Sequence, residues 1–308
     1  MSNKESHLFL EKLLAAIRDI DALHSKKLKK NLNIITQNHE PEFLDLLELI
    51  YYYFLTGNFS PERIATDYLK MVNDMRKQGL YFHKNDEYSC KNQADAYNNV
   101  YSNNEIMSYY MNALLISQIL WKHHFNMFMY FKDNLNNYFN SRSRINILDV
   151  GPGHGFFSHM IQKSVTGHKR IDIVDISESS LNFTKKILGF DKNVNYFEVD
   201  IIKYETENKY DLIVLGEIIE HLDNPSEMLN KLSELLTEDG VLWLTTPTNA
   251  PALDHVYLFR TKDDVFNIIN KSKLKVVDYY SEYSEDVNEE IAMKYKVTCL
   301  IGAFCKKY

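Results

Sequence analysis

Four residues of this 308-residue chain carry the clearest chemistry: Glu217, Glu220 and His221 in the run Gly216-Glu-Ile-Ile-Glu-His221, and His255 further on. If a helical turn starts at Gly216, Glu217, Glu220 and His221 stand at i, i+3 and i+4 on one face. Three readings suit the set. An imidazole titrates near neutrality, so His221 or His255, with Glu217 beside them, suits removal of a proton from a hydroxyl or an amine. Two carboxylates and two imidazoles also suit a divalent ion (Mg, Mn, Fe or Zn) that orients an oxygen and lowers its pKa. Or Glu217 only lines a pocket, while the histidines cap loops or pack in the core.

A second constellation lies upstream, in Ile145-Asn-Ile-Leu-Asp-Val-Gly-Pro-Gly-His-Gly-Phe-Phe157. An apolar strand enters a turn with glycine at 151, 153 and 155, and a helix begins at once. Glycines let backbone approach a ligand closely, and the N–H groups of a first helical turn face it. A dinucleotide turn wants Gly-x-Gly-x-x-Gly. Here Phe156 holds the place of the last glycine.

Alternating elements must position both groups. From 145 onward the patterning predicts strands over 145–150, 170–175, 194–199, 210–216, 241–246, 275–280 and 295–304. Helices are expected over 179–188, about 226–236 and about 262–271. This is an α/β, Rossmann-like arrangement: a mainly parallel seven-stranded sheet with helices on both faces. Ligands then sit beyond the carboxyl ends of the strands, next to the first. Asp175, Asp200 and Glu217 end successive strands there, and the loop carrying His255 leaves the same rim.

Residues 1–140 follow a different rule and read as an all-helical domain preceding the 141–308 domain. Leu10, Leu13, Leu14, Ile17, Ile20 and Leu23 mark an amphipathic helix over 6–24. A second helix opens at Pro41, and a third has Ser60 as N-cap, Pro61 at its first position and an end near Lys77. A polar, Asn-rich connection over 86–104 leads to one densely aromatic helical run to about Tyr138, and a break at 140–144 follows. This region is expected to serve as a lid and substrate wall, or as the dimerisation surface of a homodimer. Tyr101, Tyr109 and Tyr110 are its candidates for touching ligand.

Composition excludes several classes. With 45% hydrophobic and 25% charged residues the chain is globular, and its formal charge of −7 argues against a nucleic-acid partner. The basic run Lys26-Lys-Leu-Lys-Lys30 reads as a solvated helix face. Cys90, Cys299 and Cys305 lack metal or redox spacing and read as buried thiols. No apolar run reaches the roughly 18 residues of a membrane span, and no signal or transit pattern opens the chain, so a cytoplasmic location is expected.

Taken in order, ILDVGPGHG, the Asp of DIVDIS, the Asp of FEVDII, LIVLGEIIEHL and GVLWLTTPTN make residues 145–308 resemble the class I, seven-stranded S-adenosylmethionine-dependent methyltransferases. The resemblance implies that Gly151, Gly153 and Gly155, with Asp149 and Pro152, approach the methionine moiety. It implies that Asp175, with Ile176 and Ser177, holds the ribose, and that Asp200 and Ile201 read the adenine. Gly216 and Glu217 would complete the pocket. Glu-x-x-Glu-His with a later histidine is similar to the metal-binding arrangement of the small-RNA 2′-O-methyltransferases, and to the pattern of the ubiquinone-pathway O-methyltransferases. The helical addition looks like those of small-molecule and natural-product methyltransferases. The expected activity is methyl transfer to a hydroxyl or amine of a small biosynthetic molecule. The alternatives are a metal-dependent RNA 2′-O-methyltransferase and a degenerate binding scaffold.

Overall fold

The computed structural model describes residues 3–139, 144–165 and 168–308. Two compact units form: Met1–Asn126 with Pro251–Asp254, and Met127–Ala250 with His255–Tyr308. The composition break suggested a division at 140/141, within residues that are mostly outside those described.

The first unit holds α1 (Asn3–Ile20), α2 (Ala22–Thr56), α3 (Pro61–Asn85), the short α4 (Gln93–Ala96) continued by a π turn (Tyr97–Tyr101), α5 (Asn104–Leu120) and the start of α6 (Lys122–Phe139). Leu13 and Ile17 of α1 are fully buried, but the expected helix over 6–24 is broken. The Asp21 carboxylate accepts the His24 N–H at 2.9 Å and starts α2, which leaves Ile20 and Leu23 exposed. The helix expected to open at Pro41 is instead the second half of α2, beyond non-helical His39 (φ −143°, ψ 44°). Proline tends to cause such a kink, because its ring crowds the preceding turn and offers no N–H. Ser60 caps α3 as expected, accepting from the Arg63 N–H at 3.2 Å, and the helix continues beyond Lys77 to Asn85.

The aromatic run is two helices rather than one. Trp121 leaves helical geometry (φ −100°, ψ 118°), and its indole N–H donates to Tyr68 Oη at 2.7 Å. The connection over 86–104 contains α4 and the π turn, which polarity had hidden. Tyr101 Oη donates to Asp254 at 2.9 Å and Tyr109 Oη to Asp74 at 2.6 Å. Lys26, Lys27, Lys29 and Lys30 are exposed around buried Leu28, so the basic run is a solvated face of α2. Among the described residues no helix is long and apolar enough to cross a membrane. All three cysteines are buried free thiols.

The second unit alternates β1 (Ile145–Val150), α7 (Phe156–Ser164), β2 (His168–Asp175), α8 (Glu178–Leu188), β3 (Val194–Glu198), β4 (Tyr210–Gly216), α9 (Pro225–Leu235), β5 (Leu236–Thr248), α10 (Lys262–Lys271), β6 (Leu274–Tyr283), α11 (Glu289–Lys294) and β7 (Cys299–Lys307). The seven strands run in the order β3-β2-β1-β4-β5-β7-β6. β1 to β5 are parallel, and β7 is antiparallel to both neighbours. The last strand lies later than expected, and α11 occupies part of the stretch before it. Tyr130, Phe131 and Tyr138 of α6 pack with Trp243 and Phe304 in this unit. Gly302 makes the space, because a β-carbon there would meet Met127 Sδ and the Trp243 ring.

Register explains how the sheet presents a site. Val150 pairs with Val174 and with Leu215, and Gly216 pairs with Thr245. The carboxyl ends of β2, β1 and β4 are therefore level, β5 runs on to Thr248, and their following loops leave one edge. The chain goes from β1 to β2 on one side and returns through β4 on the other, which makes the β1–β4 crevice a topological switch point.

Candidate functional site

The turn after β1 is built from left-handed backbone at Gly151, Gly153 and Gly155 (φ 60°, 55° and 71°). Gly151 donates to the Val174 carbonyl at 2.8 Å, and a β-carbon there would stand 2.5 Å from Ile218 Cδ1. At Gly153 a β-carbon would meet nothing within 4 Å. Of the three, this is the glycine whose missing side chain leaves open space for a ligand. Pro152 accepts the Gly155 N–H at 2.8 Å and closes the turn.

Acidic groups gather around it. Asp149 is buried and accepts from Ser158 Oγ at 2.6 Å. Burial pushes its carboxyl up to about 7, against the Ser158 hydrogen bond and with help from the Asp175 charge. Asp175 accepts from the Ser177 N–H (2.8 Å) and Ser180 Oγ (2.6 Å), fastening the start of α8. Burial raises its pKa, against those bonds. Ser177 is the α8 N-cap, and Ile176 between them is 69% exposed. Each Asp175 oxygen keeps a second lone pair, so capping and ribose contact are compatible. Asp200 accepts from the Ile202 N–H at 2.9 Å, while the Ile201 side chain is 3% exposed and packs in the core. Any contribution of Ile201 to an adenine site would come from its backbone.

Glu217 follows Gly216 in left-handed geometry (φ 54°), and its carboxyl is pushed up to about 7 by burial, opposed by Thr245. Carboxyls at three adjacent strand ends suit a cationic ligand and repel a pyrophosphate. S-adenosylmethionine carries a sulfonium and an ammonium, so open space at Gly153 beside this acidic rim fits it. Unliganded, the raised Asp149 and Glu217 bind more protons folded than unfolded. Their contribution to stability falls as pH rises from about 4 to about 7.

The expected helical face over 217–221 does not form. Glu217 precedes the turn, and only Ile219–His221 makes a single 3₁₀ turn. Glu220, His221 and His255 are brought together, with ligand atoms within 4.8 Å of one another, and Glu217 is not in that group. Glu220 is fully buried, accepts from Thr246 Oγ1 at 2.8 Å and lies 3.7 Å from His221 Nε2. The His221 and His255 rings meet edge to face at 4.8 Å. Val256 and Tyr257 both donate to the Glu220 carbonyl at 2.8 Å, which clamps the loop carrying His255. Two donors each about 2.1 Å from a metal lie at most roughly 4.2 Å apart, so the set would draw in slightly around an ion.

Sequence reasoning missed Thr246, Thr245 and Ser158, the hydroxyls that hold Glu220, Glu217 and Asp149. Two adjacent threonines closing a buried apolar strand, in Trp243-Leu-Thr-Thr246, were the available signal. Tyr101, Tyr109 and Tyr110 belong to the first unit, bonded to Asp254 or Asp74 or buried near Asp254.

Residues 148–242 match a family model described as a methyltransferase domain. The strand order and glycine turn agree with that match, so the second unit carries a methyltransferase domain built on a seven-stranded sheet. The malonyl-[acyl-carrier protein] O-methyltransferase 1 of Ilyobacter polytropus is 32% identical over 145 residues, covering 43% of this chain and 54% of that protein. A ubiquinone biosynthesis O-methyltransferase of Coxiella burnetii is 31% identical over 130 residues, covering 41% and 53%. The chain spans about half the length of the curated relatives it matches. The N-methyltransferase NodS of Bradyrhizobium japonicum, solved with S-adenosyl-L-homocysteine, superposes with a TM-score of 0.45 at 18% identity, covering 58% of this chain and 86% of that one.

Replacing Asp175 by alanine is expected to weaken S-adenosylmethionine binding and to cost about 1 kcal/mol of stability through the lost α8 contacts. Titration calorimetry beside urea unfolding separates the two effects. Unchanged affinity in the folded variant would leave Asp175 a cap only.

Proposed function

We propose that the chain is an S-adenosylmethionine-dependent O-methyltransferase whose acceptor is a small-molecule hydroxyl, with an amine as the variant acceptor. The observation that supports this is the Glu220–His221–His255 cluster at the carboxyl rim. A carboxylate acceptor is already ionised near neutrality and needs no base, whereas a phenol or alcohol must lose its proton as it attacks. Acid–base machinery next to the donor is therefore expected for a hydroxyl, which sets the reading nearer the ubiquinone-pathway relatives than the malonyl-carrier ones.

The bound donor supplies an electrophilic methyl group on a sulfonium leaving group. The chain's own part is to fix the acceptor in line and take its proton, and orientation alone lowers much of the barrier. Glu220, held by Thr246, sets its carboxyl 3.7 Å from His221 Nε2. A second reading, supported by the same three ligands, places a divalent ion there to bind the acceptor oxygen and lower its pKa.

The test offers labelled donor to a panel of phenols, alcohols, amines and carboxylic acids, with and without chelator. Transfer to hydroxyls, indifferent to chelator, is the expected result. Chelator-sensitive transfer restored by a divalent ion selects the second reading, and transfer confined to carboxylic acids overturns both.

A further inference from the structure

Glu217 is not explained by the fold or by the histidine cluster. It adopts left-handed backbone (φ 54°) although it carries a β-carbon, a strained choice of the kind that collects at functional sites. Two hydrogen bonds from its own N–H hold it there, to the Thr245 carbonyl at 3.0 Å and to Thr245 Oγ1 at 3.1 Å. The consequence is a carboxyl turned inward, with Oε1 buried and lacking a hydrogen-bond partner. Asp149 is held by Ser158 and Asp175 by Ser177 and Ser180, while Glu220 is held through one oxygen by Thr246 and has His221 Nε2 3.7 Å from its other, buried oxygen. An ionised oxygen buried without a donor is costly unless a positive charge meets it.

We propose that Glu217 is the residue that makes the site prefer the charged methyl donor over its neutral demethylated product, by supplying the counter-charge to the sulfonium. The inference rests on the donor reading above. In the transfer, a lone pair of the acceptor oxygen forms the new O–C bond as the C–S bond breaks, and the acceptor proton passes to the base. The C–S electron pair stays on sulfur, so the sulfonium becomes a neutral thioether. Glu217 then faces no cation, its attraction is lost, and release of the product is favoured.

Titration calorimetry on the full chain tests this, using S-adenosylmethionine and S-adenosylhomocysteine against wild type and Glu217→Gln. Wild type is expected to bind the donor more tightly than the product. The variant should lose roughly tenfold or more for the donor, as expected for a charge pair in a partly buried site, and stay within about twofold for the product. Equal losses for both ligands, or no loss for either, overturn the proposal. Wild type that binds neither ligand sinks the donor reading itself, a distinguishable failure. If Glu217→Gln does not fold, wild type is compared on S-adenosylhomocysteine and an analogue with a protonated amine in place of the sulfonium. Tighter binding of the charged analogue supports the assignment, and equal or weaker binding overturns it.

Discussion

Replacing His221 by alanine is expected to lower turnover by about 10²- to 10⁴-fold, the range for loss of a positioned general base, while donor affinity stays essentially unchanged. The reason is positional. His221 sits one residue beyond Glu220, 3.7 Å from its carboxylate, in a turn that follows the acidic rim rather than belonging to it. Loss of binding equal to the loss of turnover would show that His221 shapes the cofactor pocket instead. His255→Ala separates the two readings of the cluster. If His221 acts alone as base, the His255 variant is mildly impaired. If the three residues hold an ion, the two variants fall together.

Replacing Asp172 by alanine is expected to destabilise the fold by about 3 kcal/mol, because several donors converge on one buried carboxylate. Asp172 in β2 is fully buried. Arg170 Nε lies 2.6 and 2.7 Å from its two oxygens, Asn195 Nδ2 donates at 2.9 Å and Tyr210 Oη at 2.8 Å. Tyr210 in turn meets Tyr204 Oη at 3.1 Å. Truncation would strip the buried Tyr210 hydroxyl of its acceptor and leave a void between β2 and β4. Burial, with Tyr204 and Asp172 adding to it, already holds the Tyr210 phenol far above its ordinary range. Urea unfolding should show a lower midpoint with unchanged slope. A change below about 1 kcal/mol, within the range of ordinary surface substitutions and single weak contacts, would mean that the network contributes little.

What could be read from the sequence follows from where each determinant lies. β1 and β4 are buried nearly throughout, so their apolar runs stood out, and the glycine turn between β1 and α7 was plain. Ser60-Pro61 announced α3 because a cap is a local device. Breaks set by distant partners were hidden. Trp121 leaves the helix where it bonds Tyr68, fifty-three positions earlier, and no local pattern encodes that. Asp21 was a local signal, obscured because apolar residues continued across the junction at helical spacing. Glu217 was misplaced for a conformational reason. A helical turn from Gly216 assumes right-handed backbone, and the left-handed state of Glu217 depends on Thr245 of the neighbouring strand. The pairing of Glu220 with His221 and His255 survived because β4 and β5 are adjacent, which the strand order makes necessary.

The most direct measurement is a calorimetric titration of the full chain with S-adenosylmethionine, with NAD in a parallel cell. Saturable one-to-one binding of S-adenosylmethionine and no heat with NAD is the predicted result. No binding of S-adenosylmethionine, or binding of NAD in its place, would contradict the assignment of the glycine turn and its acidic rim to a cationic methyl donor.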